Sequence, residues 1–182
     1  MPNAGKIRAL MMVAHPDDCV IFGYPFYSVY RQFEWTICYL TYKKWELRAH
    51  EITNFWQRRS VKTMFLEFLD DFRQVDQGST GFDNQLAKEK IQEVVNQHDL
   101  VLTHYKDGEY GHLHHKFVHA VVKETSVPQI YFAGVENLNY QCVCQESEYS
   151  LDEIPVHRNV VSGFVDRHIG RYIVTDRARQ LI

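Results

Sequence analysis

Apolar and polar positions along this chain change period repeatedly, from strand-like to helix-like and back. Residues 7–14 form a short, almost wholly apolar run, the pattern of a strand covered on both faces. Residues 19–33 read as a helix rich in aromatic side chains, and 35–42 as a second strand. Residues 45–59 predict a helix, with Leu47, Ile52 and Trp56 on its apolar stripe and Arg48 beside it; 62–69 predict a third strand. Gly, Ser and Thr mark 73–81 as an irregular loop. Asp83 then caps a helix in which Ala87, Ile91, Val94 and Val95 share a face. A fourth strand is expected over 100–104, a helix over 112–125 and, after Pro128, a fifth strand over 129–133. Further on, 140–144 and 171–174 read as strands, whereas 151–158 carries no decisive pattern.

Strand–helix alternation implies an α/β fold: a largely parallel sheet, right-handed crossovers and helices on both faces. The 182 residues suit one domain spanning 1–182, and 45% hydrophobic content is enough for a real core. In such sheets ligands bind outside the carboxyl ends of the strands. Three loops leave those ends carrying reactive side chains: 15–19, 70–81 and 105–115.

Charge and cysteine usage narrow the partners. The formal net charge is -3 and no run of Lys or Arg stands out, which gives a nucleic-acid or anionic-membrane partner no support. No segment reaches the length of a membrane span. The apolar run ending at His15 is too short for the core of a secretion signal. Cys19, Cys38, Cys142 and Cys144 are too few and scattered for a disulfide framework. Cys142 and Cys144 would sit on one face of a strand as buried thiols, and a cytoplasmic location is expected.

Two motifs carry chemistry. His15-Pro16-Asp17-Asp18 falls at the first strand-to-helix junction, where Pro16 keeps His15 extended and the helix start favours negative charge. Two aspartates before a helix also read as an N-cap and a first-turn charge, but that leaves His15 without a role. Of the ten histidines, His112, His114, His115 and His119 crowd the start of a later helix. His112 and His115 share a face there, as do His115 and His119, while His114 points elsewhere. Taken alone this is equally a solvated, histidine-rich helix start. Together, the two motifs bring complementary ligands to one rim. A His/Asp/His set with open positions suits a hydrolytic Zn²⁺. The same set matches the 2-His-1-carboxylate triad that holds Fe(II), so the metal stays open between Zn²⁺, Fe²⁺ and other divalent ions.

Ala14-His15-Pro16-Asp17-Asp18 resembles the Ala-His-Pro-Asp-Asp-Glu signature of the LmbE-like/PIG-L de-N-acetylase superfamily. Tyr110-Gly111-His112-Leu113-His114-His115 resembles its Gly-His-Pro-Asp-His signature, and Arg48-Ala49-His50-Glu51 its Arg-x-x-Glu. The resemblance covers roughly residues 7–125. It implies a Rossmann-like deacetylase core, with His15, Asp18 and His115 as zinc ligands, Asp17 as general base and His112 as transition-state stabiliser. By the same resemblance Tyr110 polarises the carbonyl and Arg48 contacts the sugar. Asp71, or its neighbour Asp70, matches a substrate-binding aspartate. Three departures stand out: Cys19 replaces the usual glutamate, Leu113 and His114 replace Pro and Asp, and the C-terminal part is short and poorly matched.

The expected reaction is metal-dependent removal of an N-acetyl or other small N-acyl group from an amino sugar or its conjugate. Zinc, a protonated His112 and Tyr110 would meet the oxyanion. One rival is a zinc hydrolase of another amide or ester. The other is a catalytically degenerate metal- or sugar-binding relative, whose closed four-ligand site would recruit Cys19 or His119. A homo-oligomer remains open.

Overall fold

The computed structural model describes residues 5–133, 141–142, 150–162 and 171–182. Five strands run parallel: β1 (Arg8–Val13), β2 (Glu34–Thr41), β3 (Lys62–Phe68), β4 (Leu100–Thr103) and β5 (Gln129–Phe132). With β6 (Gln141–Cys142) and β7 (Arg171–Val174) they form one sheet in the order β3-β2-β1-β4-β5-β7-β6. The last two strands pair antiparallel, β7 to β5 and β6 to β7.

The apolar run in β1 follows from its central place. Successive side chains alternate between faces, so Ala9, Met11 and Val13 join one core with Ile37, Tyr39, Phe55 and Trp56. Leu10 and Met12 join the other, with Cys38, Leu40, Ala87, Ile91, Val118 and Val122. Helices therefore cover both faces. On the first face lie a tight π-helical turn (Cys19–Gly23), α1 (Tyr24–Val29) and α2 (Leu47–Gln57); α4 (Asn84–Val95) and α6 (Leu113–Lys123) cover the second. Asp83 caps α4 by accepting the N–H groups of Gln85 and Leu86, and Ala87, Ile91, Val94 and Val95 are its buried face.

Several elements differ in detail from the sequence pattern. The helix expected over 19–33 is instead the π-helical turn followed by α1. A Cβ at Gly23 would lie 2.2 Å from the Met11 sulfur, so the Met11 side chain packs directly against this turn. Leu47 is 68% exposed, and α2 buries Ala49, Ile52, Phe55 and Trp56 instead. At about 100° per residue, Leu47 and Ile52 stand about 140° apart and cannot share a stripe. The loop expected over 73–81 contains α3 (Phe72–Asp76), capped by Asp71. A short turn, α5 (Gly108–Gly111), precedes α6, which begins one residue later than expected because His112 is its N-cap. Of the strand expected over 140–144, only Gln141–Cys142 is described; the Cys142 side chain, Cys144 and His168 lie outside the described residues.

Candidate metal centre

The chain leaves β1 at Val13 and folds back through His15-Pro16-Asp17-Asp18. The His15 backbone N–H donates to Asp18 Oδ2 at 2.7 Å, which turns that carboxylate inward beneath the imidazole. From the far side of the rim, the first turn of α6 delivers His115. His15 Nδ1 lies 3.2 Å from His115 Nε2 and 3.3 Å from Asp18 Oδ2, and the latter two atoms are 3.3 Å apart. Three donor atoms from two loops thus form a nearly equilateral triangle. His15, Asp18 and His115 are 6%, 1% and 0% exposed, so water reaches the triangle little.

Glu109 supports this triangle and was not singled out from the sequence. Its carboxylate accepts from His115 Nδ1 at 2.6 Å, from His104 Nδ1 at 2.8 Å and from the Tyr105 backbone N–H at 2.9 Å. A carboxylate accepts only, so His115 carries its proton on Nδ1 and turns the Nε2 lone pair to the triangle. His104 Nε2 accepts the Ala14 N–H at 3.0 Å, which ties β1 to β4. Reaching these partners holds Glu109 at φ 57°, a costly conformation for a residue with a Cβ. One signal in the sequence marks it: an acid six positions before His115, between Gly108 and Gly111.

The remaining expected residues fall in distinct places. Asp17 is 8% exposed and its Oδ1 accepts from the Arg48 guanidinium at 2.5 Å. Arg48 also donates to the Tyr42 hydroxyl at 2.5 Å. Its guanidinium is therefore committed first to a carboxylate of the site. His112 accepts the His114 N–H on Nδ1 at 3.3 Å, and its ring lies 4.8 Å, centroid to centroid, from that of His115. The Tyr110 ring lies 5.2 Å from that of His115 and is half exposed. Asp70 Oδ1 lies 3.6 Å from His15 Nε2, whereas Asp71 caps α3 through the Arg73 N–H. Of these two aspartates, then, Asp70 is the one beside the cluster.

Cys19 and His119 are engaged elsewhere. The Cys19 sulfur accepts from Trp56 Nε1 at 3.0 Å, donates to the Pro16 carbonyl and lies 3.2 Å from the Tyr39 hydroxyl. His119 Nδ1 donates to the His104 carbonyl at 3.1 Å. Burial pushes the Cys19 thiol up to about 12, away from the thiolate a metal needs. Cys19→Ser is therefore expected to keep its metal while melting at a lower temperature, because a smaller, more polar group replaces a packed thiol. Elemental analysis of the purified variant checks this; loss of stoichiometric metal would make Cys19 a ligand.

Charge in the cluster is tightly coupled. Burial alone would lower the His15 pKa, but Asp18 and Asp70 outweigh it and raise it to about 9. Burial opposes the charge on Asp18 too, yet His115, His104 and His15 hold it well below the usual carboxylate range. Burial, with His15 and His115 alongside, pushes His112 down to about 3. Against the expectation of a protonated His112, this shift and the N–H that Nδ1 accepts both favour the neutral ring. Because Nδ1 accepts at the helix cap, its proton sits on Nε2. Burial, Asp18 and Asp17 raise the Tyr110 phenol, which stays protonated as a donor.

A mostly parallel α/β sheet with buried His and Asp donors converging at the carboxyl ends of β1 and β4 defines the class: an α/β protein with a candidate metal centre at its rim. Residues 10–126 match the family model described as PIG-L, GlcNAc-PI de-N-acetylase, and the chain belongs to that family. The family is one of N-deacetylase-type hydrolases. Among individual proteins, the chain is similar to the uncharacterized protein L374 of Acanthamoeba polyphaga mimivirus. The two are 28% identical over 142 residues, covering 69% of this chain and 61% of that protein. The chain thus spans less than two thirds of that relative's length. The fold resembles GalB, the 4-carboxy-2-hydroxymuconate hydratase of Pseudomonas putida KT2440, with a TM-score of 0.64 and 11% identity over 88% of this chain and 83% of that one. It also resembles a deacetylase of the teicoplanin biosynthesis pathway, with a TM-score of 0.57 and 12% identity over 93% and 99%. A hydratase and a deacetylase on one scaffold leave the reaction to be argued from the site.

Proposed function

We propose that this protein is a divalent-metal-dependent N-deacylase, acting on an N-acetylated amino sugar or its conjugate, with His15, Asp18 and His115 as metal ligands and Zn²⁺ as the metal. The observation that carries this reading is the triangle itself. Zinc bonds of about 2.0–2.2 Å to His and Asp in tetrahedral geometry put ligand atoms about 3.3–3.6 Å apart, and the triangle's edges are 3.2 and 3.3 Å. Electron pairs this close repel unless a proton or a cation lies between them. Three protein ligands leave a position for water, unlike a closed structural site.

A metal held there supplies Lewis-acid chemistry and lowers the pKa of water from 15.7 to about 7. The chain's own residues supply the rest. Asp17, next to a ligand and oriented by Arg48, takes the proton from the attacking water and returns it to the leaving amine. The neutral His112 donates from Nε2, and Tyr110 from its hydroxyl, to the oxyanion of the tetrahedral intermediate. Asp70, beside the cluster, would accept a hydrogen bond from a sugar hydroxyl. Trp45, Phe72 in α3 and Tyr110 in α5 are exposed on the connections that follow β2, β3 and β4, which suits a carbohydrate ligand.

An acetate-release panel of N-acetylated amino sugars and N-acetylated amino acids tests the substrate class. Release from the sugars alone is expected; release from the amino acids alone would assign another amide. Arg48→Ala is expected to keep its metal and to lower kcat/KM by up to about a hundredfold, chiefly through kcat, because Asp17 loses its anchor. Unchanged kinetics would reduce Arg48 to a packing role.

A further inference from the structure

His114 stands where the family signature has an aspartate, and no role in catalysis or metal binding has been assigned to it above. It is fully buried. Its Nε2 lies 2.9 Å from the Thr80 carbonyl. A carbonyl only accepts, so Nε2 carries the proton and Nδ1 carries a lone pair. That lone pair faces His15 Nε2 at 3.2 Å. Asp70 Oδ1 lies 3.6 Å from His15 Nε2 and also 3.6 Å from His114 Nδ1, beyond hydrogen-bonding distance for either. The acceptor for His15 is therefore the neutral imidazole.

We infer that His114 is a positioning residue: it accepts the Nε2–H of His15, so that the ring turns its Nδ1 edge to Asp18 Oδ2 and His115 Nε2. The relay runs His15 Nε2–H to His114 Nδ1, then His114 Nε2–H to the Thr80 carbonyl. It anchors the histidine of the first motif to the loop between α3 and α4. The two histidines of the triangle are thus oriented differently, His115 by the Glu109 carboxylate and His15 by an uncharged ring. The consequence for metal affinity rests on the metal reading above; the proton positions on the two rings do not.

Long-range ¹H–¹⁵N correlation of the ring nitrogens tests this in the wild-type protein, with and without Zn²⁺. His114 should carry its proton on Nε2 alone in both states, and zinc-loaded His15 should be protonated on Nε2. A His114 ring protonated on Nδ1, or on both nitrogens, would overturn the inference. Metal competition against a chelator provides the second arm. His114→Leu should bind zinc about 10- to 100-fold more weakly than wild type. His114→Asn, whose amide oxygen can replace Nδ1 as acceptor, should recover part of that loss. Wild-type affinity in a folded His114→Leu would overturn the inference, and so would a second zinc per wild-type chain displacing the His15–His114 proton, since His114 and Asp70 would then be ligands themselves. A wild-type protein that binds no zinc would instead sink the proposed function, leaving the ring-proton result to stand or fall separately.

Discussion

Asp17→Asn should retain about one metal ion per chain and lose roughly a hundredfold or more in turnover. Asparagine is nearly isosteric with aspartate and can still accept from the Arg48 guanidinium through its amide oxygen, so local geometry should survive. What it cannot do is accept a proton at neutral pH. If Asp17 were only a helix-start residue, the same change would be nearly silent, because asparagine caps about as well as aspartate. Cap geometry already speaks against that reading, as no side-chain cap bond is made at the start of the Cys19–Gly23 turn. Metal content, melting temperature and acetate release measured on one preparation decide between the two. A metal-replete, fully active Asp17→Asn protein would remove Asp17 from the chemistry.

Asp18→Ala should give the opposite pattern, with metal lost first and activity lost with it. Asp18 Oδ2 is a corner of the triangle and also accepts the His15 backbone N–H, so the substitution removes one ligand and loosens a second. It also takes away the charge that holds His15 and His115 in register. Breaking a buried charge pair on one side typically costs about 3–5 kcal/mol. The coupling here is strong and the partners can lose protons in response, so the net loss in the metal-free protein should be smaller. Chelator competition is expected to show at least the 10- to 100-fold loss of affinity that removing a mere supporting partner causes. An Asp18→Ala protein that still carries stoichiometric metal would place the site elsewhere.

Much of this site was legible in the sequence because its parts sit at junctions that chain chemistry makes visible. The all-apolar β1 ending at His15-Pro16 marked a central strand and its carboxyl end, and the histidines of the second motif marked another. Parallel topology then required those two ends to meet. Partners chosen by three-dimensional packing were less legible. Glu109 works only because the backbone there takes a positive φ, which periodicity does not reveal. That His114 faces His15 depends on how α6 lies against the first motif, which periodicity does not give. Asp70 and Asp71 are identical in composition, and only the start of α3 shows that one caps and the other faces His15. Arg48 was legible as a site residue, whereas its grip on Asp17 depends on how α2 lies across the rim.

Titration of chelator-treated protein with Zn²⁺, following acetate release from an N-acetylated amino sugar, tests the central claim most directly. Activity should be absent without metal, rise with added zinc and saturate at one equivalent per chain. Acetate release that survives complete removal of metal, or a protein that takes up no zinc at all, would contradict a metal-dependent deacylase built on His15, Asp18 and His115.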